Sequence, residues 1–156
     1  MDFDWARGDV IVVDGTEVAR AERSWLRERA EVQIGPELWH YRAEGGWTRS
    51  SLVAEVDGVA RFTARRSSLF STTWTVDAAG DQLEVASAGF FGTRLVVKRA
   101  GTVIGEVSRS GIFTTRTRLE TSTDLDVPLG CFLLWVAYVE LNRRQSSAGS
   151  SSAAVS

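Results

Sequence analysis

The sequence predicts a mainly β fold, a closed antiparallel β-barrel of about ten to twelve strands enclosing a hydrophobic C-terminal α-helix. Two observations carry this expectation. Short runs of alternating apolar and polar residues recur along the chain, separated by glycine-containing pairs that mark hairpins. Near the end of the chain, by contrast, lies an uninterrupted apolar run with no polar side. A third observation bounds the answer: 156 residues suit one domain, and 44% hydrophobic with 24% charged residues is ordinary for a globular chain.

Taken in order, Val10–Val13 and Thr16–Ser24 read as strands joined at Asp14-Gly15. The stretch 24–34 is ambiguous. Ser24 to Arg29 has a helix-friendly composition, whereas Ala30, Val32 and Ile34 alternate, so a strand or a short irregular turn is expected. A turn follows near Gly35-Pro36 or Gly45-Gly46. Asp57-Gly58 then joins Ser51–Val56 to Val59–Arg65, Gly80 joins Thr72–Val76 to Gln82–Ser87, and Ala100-Gly101 joins Thr93–Arg99 to Thr102–Ser108. Within these runs Leu52, Ala54 and Val56 share a face, as do Phe62 and Ala64. Val103 and Val107 are expected on one face with Gly105, against Ile104, Glu106 and Ser108. Phe113, Thr115, Thr117 and Leu119 alternate with Thr114, Arg116, Arg118 and Glu120. A period of two with one charged face describes half-buried antiparallel strands. Glycines 58, 80 and 101 lie 22 and 21 residues apart and Gly15 lies 43 before Gly58, a weak repeat of one hairpin per unit. So many strands in a small domain need closure, or two packed sheets, to hide their edges.

The final element is a helix over about 127–144. Asp124 and Asp126 suit its positive end, Pro128 is tolerated in a first turn, and Arg143 and Arg144 suit a negative end. From Val127 to Val139, 13 residues carry no charge. A bilayer span takes roughly 20 apolar residues, so this run points to burial in protein and not to a transmembrane span. A helix that is apolar all round must be enclosed, and the rest of the chain is β, so a barrel threaded by the helix is expected. A helix lying on one open sheet is the alternative, and it leaves half of the helix wet. Residues 1–145 make up this single domain. Residues 146–156, nearly all Ser, Ala and Gly without charge, are expected to be disordered.

Composition excludes several chemistries. One Cys and one His rule out a disulfide scaffold, a Cys-rich zinc site and a multi-histidine metal site, and no cofactor is expected. A net charge of −2 argues against nucleic acid as a partner. Met1 to Val18 is acidic and patchy, unlike a signal peptide, and a lone Cys131 fits a reducing compartment. A cytoplasmic location, free or peripheral to a membrane, is the expectation.

Three stretches then resemble a known superfamily. The first runs Thr73-Trp74-Thr75-Val76-Asp77, Gly80, Leu83, Leu95-Val96-Val97, Gly101 and Val103-Ile104-Gly105-Glu106-Val107-Ser108-Arg109. The second is Asp124-Leu125-Asp126-Val127, and the third is Gly130-Cys131-Phe132-Leu133. Over about residues 50–142 their order resembles the Tubby C-terminal-like superfamily, in particular the LURP-one-related and phospholipid scramblase-like proteins. The resemblance implies a barrel around a hydrophobic helix and functions of a membrane-facing kind, including phosphoinositide headgroup binding through basic surface residues. A shared fold does not fix a function.

Candidate anion-binding residues are Arg65, Arg66, Arg94, Lys98, Arg99, Arg109, Arg116 and Arg118. Residues 61–156 carry a net charge of +3 and residues 1–60 a net charge of −5. Arg116 and Arg118 share a strand face and could hold a phosphate between them, although alternating Arg and Thr is also what a solvated outer face looks like. Calcium is the weaker alternative: Glu120, Asp124 and Asp126 offer oxygen ligands, but Thr121-Ser122-Thr123 stands where the scramblase segment is acidic. Catalysis finds no constellation. Cys131 lies in the apolar helix, His40 reads as a strand residue, and no serine elbow, dinucleotide fingerprint or phosphate loop is present. Trp39, Trp47, Trp74 and Trp135 read as core, and a membrane-dipping role would use Trp5, Trp25 or Trp47. The expected function is a non-catalytic module that binds anionic phospholipid headgroups or an acidic protein partner. A hollow barrel carrying a small hydrophobic ligand, or an interaction domain without ligand, are the alternatives.

Overall fold

The computed structural model describes residues 1–24, 27–46, 49–67, 71–88, 94–109 and 116–155, with side chains as far as residue 146. Twelve strands form β1 (Asp2–Ala6), β2 (Val10–Val13), β3 (Thr16–Ser24), β4 (Arg29–Ile34), β5 (Glu37–Glu44), β6 (Ser51–Val56), β7 (Val59–Arg66), β8 (Trp74–Ala78), β9 (Asp81–Ser87), β10 (Leu95–Arg99), β11 (Thr102–Arg109) and β12 (Thr117–Thr121). Each pairs antiparallel with its sequence neighbours, and β1 pairs with β12 to close the ring. Helix α1 (Val127–Val155) follows. Closure leaves no free sheet edge, which answers the edge problem that twelve short strands pose.

Helix α1 runs through the ring. Its side chains meet strands on every side: Gly130 lies against Phe3 of β1, Phe132 and Trp135 meet Tyr41 of β5, and Phe132 also meets Phe62 of β7. Tyr138 faces Arg23 of β3, Glu140 accepts from Trp74 of β8, and Asn142 accepts from Arg109 of β11. Cys131 through Leu141 are all buried, as the unbroken apolar run requires. The inward positions of the strands complete one core, with Trp5, Trp74, Leu52, Val85, Leu95 and Leu119 fully enclosed. Trp39 and Trp135 are buried as well, and so is Trp5, which therefore has no surface to present to a membrane. Trp25 and Trp47 lie outside the described residues, as do Phe113 and Thr115.

The Asp126 carbonyl accepts from Gly130 N–H, so the helix opens where the acidic pair and Pro128 place it. Its far end differs from expectation. The helix continues to Val155, so Arg143 and Arg144 sit within it and not at its end. Beyond residue 144 the backbone stays helical through residues 145–155, a stretch of mostly Ser, Ala and Gly that prolongs a helix already nucleated in the core.

Three of the hairpins share an irregularity. In β2–β3, Ile11 pairs with Ala19 and Val12 with Glu17, leaving Val18 as an extra residue. In β6–β7 the extra residue is Arg61, and in β10–β11 it is Ile104. These bulges shift the facing of the second strand by one position. Val103 is consequently half exposed, and not on the inner face with Gly105 and Val107 as alternation alone suggests. The turn glycines of the three hairpins, Gly15, Gly58 and Gly101, are spaced by 43 residues each time. The barrel is thus three four-stranded repeats, the last one using β1 as its fourth strand.

Candidate functional site

The repeat gives the barrel two unlike ends. The turns 14–15, 35–36, 57–58, 79–80 and 100–101 lie at one end, where α1 enters. The remaining strand-to-strand connections, after β1, β3, β5, β7, β9 and β11, are made at the other end, where α1 leaves. The cations expected to bind anions divide between the outer wall and this loop end.

On the outer wall most guanidinium groups are met by carboxylates of the same sheet. Arg118 holds Asp2 of β1 through both oxygens, at 2.8 and 2.6 Å, and also reaches Glu120 at 3.2 Å. Arg116 grips Asp4 in the same two-pronged manner. These partners raise both arginines above their ordinary pKa. The space between Arg116 and Arg118 that a phosphate could fill is therefore shared with Asp2 and Asp4. Arg99 clasps Asp81 at 3.2 and 2.7 Å, and Arg94 stands 3.4 Å from Glu106. Arg65 is exposed on β7 and Lys98 is half-buried on β10. A cleft of about 530 Å³ on β3 to β6 mixes Glu22, Glu31 and Glu55 with Arg29, Arg42 and His40, whose Nδ1 lies 3.7 Å from Glu31.

The loop end is different. Arg23, Arg66 and Arg109 occupy the same place in the three repeats, again 43 residues apart. Their cross-strand partners Ala30, Trp74 and Thr117 are all buried, so the three arginines point inward at the rim, a third of the ring apart. Arg23 donates to Asp9 at 2.6 Å and lies 4.6 Å from the Tyr138 ring and 4.8 Å from the Trp5 ring. Arg109 donates to the amide oxygens of Asn142 and Gln145, at 3.0 and 3.1 Å. Arg66 lies over Trp74 at 5.0 Å, and Arg143 lies 5.4 Å from the same ring.

Helix α1 adds Arg143 and Arg144 to this rim. Arg143 grips Glu28 at 2.7 and 2.9 Å and donates to the Arg49 carbonyl, while Arg49 reaches Glu28 at 3.1 Å. Burial alone would raise the Glu28 carboxyl, but hydrogen bonds and charge from Arg143 and Arg49 outweigh it and hold it below the usual range. Arg144 donates to Ser87 at 2.7 Å and stands 3.5 Å from Glu140, which is buried and accepts from Trp74 Nε1 at 3.3 Å. The six arginines named here, Arg23, Arg49, Arg66, Arg109, Arg143 and Arg144, outnumber the carboxylates of Asp9, Glu28 and Glu140 that stand beside them.

Two of the eight residues picked out in the sequence, Arg66 and Arg109, stand in this rim. Arg23, Arg49, Arg143 and Arg144 were not singled out as binders. The 43-residue spacing would have found Arg23, and Arg143 and Arg144 were assigned to a helix terminus that lies further on. Burial pushes the Cys131 thiol up to about 12, the state of an inert core cysteine. No helix among the described residues is long and apolar enough to cross a membrane. No family model, no curated protein and no solved structure matches the chain.

Proposed function

We propose that this chain is a non-catalytic binding module, peripheral to a membrane, that meets anionic phospholipid headgroups with the loop end of its barrel. The observation that supports this reading is the gathering of repeat-related arginines and helix arginines on one rim. Guanidinium groups suit phosphate oxygens because their planar forks donate two parallel hydrogen bonds. The outer wall, whose arginines face carboxylates on neighbouring strands, offers less unmatched charge. A carrier of a small hydrophobic ligand would need a hollow interior, and α1 passing through the ring counts against that alternative.

Flotation with phosphatidylcholine vesicles, with and without phosphatidylserine, at low and high salt, tests the reading. The protein should float only with phosphatidylserine and be released by salt, because headgroup attraction is screened within about 10 Å at 0.1 M. Flotation that ignores lipid charge or salt, or no flotation at all, overturns it.

A further inference from the structure

We propose that Arg66 and Arg143, both beside Trp74, form the seat for one phosphate-class oxyanion. This rests on the headgroup reading above and names the part of the loop end that holds the charge.

The three repeats supply an internal comparison. At equivalent rim positions Arg23 has the Asp9 carboxylate and Arg109 has the side-chain oxygens of Asn142 and Gln145. The third equivalent, Arg66, has no hydrogen-bond acceptor or carboxylate partner for its side chain among the described residues. Its Nε is shielded from solvent and unsatisfied, and so is Nη1 of Arg143. Shielded donors without acceptors are rare in folded proteins, because each forfeits its hydration without replacement.

Charge points the same way. Both guanidinium groups stand near the Trp74 ring, at 5.0 and 5.4 Å, so two partly buried like charges lie beside one another. Burial first, and then the Arg143 charge, lower the Arg66 pKa, and Glu140 and Glu28 only partly offset this. Glu28 already serves Arg143 and Arg49, and Glu140 serves Trp74 and Arg144. An oxyanion with several oxygens would supply acceptors to both orphaned donors and relieve the repulsion between them. Inorganic phosphate or a phosphomonoester carries more than one negative charge near neutral pH and fits two guanidinium groups better than a carboxylate does. Trp74 gives the seat a rigid apolar floor, buried and held by its own hydrogen bond to Glu140.

The phosphate could be free in solution or part of a lipid headgroup, and two arms separate these sources. In the first, thermal unfolding of the full chain is followed as inorganic phosphate replaces chloride at constant ionic strength. The wild-type midpoint should rise by a few degrees, since a ligand that binds only the folded state stabilises it. Arg66→Gln should lose the rise, and the outer-wall control Arg94→Gln should keep it. Arg66→Lys preserves the charge and the stem over Trp74, serves where the glutamine variant does not fold, and should also lose most of the rise. A wild type indifferent to phosphate, or Arg66 variants that respond as the wild type does, overturns the seat. In the second arm the same proteins are floated with phosphatidylcholine vesicles carrying a phosphatidylinositol monophosphate, whose headgroup bears a phosphomonoester. Salt-sensitive flotation undiminished in Arg66→Gln overturns the seat and leaves the membrane reading standing. A phosphate response that depends on Arg66, without any flotation, supports the seat and overturns the membrane reading.

Discussion

At the end where α1 enters, β-strands reverse within two residues and the backbone itself supplies the order. Asp14 and Gly15, with φ of 49° and 86°, and Asp57 and Gly58, with φ of 53° and 77°, form turns whose twist matches that of the strands they join. At the end where α1 leaves, strands are joined by longer connections, and order comes from side chains: Glu28 ties together Arg49 and Arg143, and Glu140 ties Trp74 to Arg144. The first end is closed by local geometry and close packing. The second is held by charges in partial burial, an arrangement that depends on pH, salt and ligands. The proposed binding face lies at this second end, where arginines outnumber the carboxylates they contact.

The largest effect should come from disturbing the packing where the helix enters. A Cβ on Gly130 would fall within the ring of Phe3, which is fully buried. Gly130→Ala should therefore cost about 1–3 kcal/mol of unfolding free energy in urea denaturation, the range for overpacked cores. A neutral result would show that the helix can shift in its ring, and the contrast between a rigid end and an adjustable one would fail.

Next comes the loop end itself. Glu28→Gln leaves Arg143 and Arg49 without their shared carboxylate and should cost about 1–2 kcal/mol near neutral pH. Because the folded carboxyl titrates below its ordinary 4.5, its contribution is present above that value and fades as pH falls through the lower, folded one. The wild type and the variant should consequently converge in denaturation curves recorded in acid. Parallel curves at both pH values would remove Glu28 as the tie.

A smaller effect, of opposite sign, is expected at Ala100, which takes φ of 50° in a hairpin whose counterparts use Asp. Ala100→Asn should raise stability by about 0.5–1 kcal/mol, since Asn tolerates the left-handed region better than Ala. No gain in the thermal midpoint would mean that this turn does not limit the tight-turn end. Smallest of all should be the change in vesicle flotation for Arg116→Glu combined with Arg118→Glu, because both sit on the outer wall opposite Asp2 and Asp4. Abolished flotation would move the binding face from the rim to the wall.

The fold was largely legible because hairpins and a helix that is apolar all round are local patterns. Gly15, Gly58, Gly80 and Gly101 mark turns in one dimension, and the run Val127 to Val139 carries its need for enclosure in its own composition. Strand β1 was not read, although Phe3 and Trp5 alternate with Asp2 and Asp4, because five residues ahead of a glycine turn give a short signal. The facing of Val103 was misread because a bulge depends on how two strands pair and not on either alone. The rim was harder still. Arg23, Arg66 and Arg109 are scattered in the chain, and only closure of the ring brings them to one end with Arg143.

Closure also fixes the order in which this molecule can be assembled. The earliest strand of the barrel, β1, finds its outer partner only in β12, where Asp2 meets Glu120 and Thr121 N–H donates to the Met1 carbonyl. The helix that fills the interior is made later still. During synthesis from the N-terminus, the growing sheet therefore keeps two open edges and an unfilled apolar face until β12 and α1 have emerged. Pairings between distant segments form slowly, and unpaired edges invite association in the meantime. A barrel cut short before Trp135 would lack much of its core, so the helix decides whether the strands made before it can stay closed and filled.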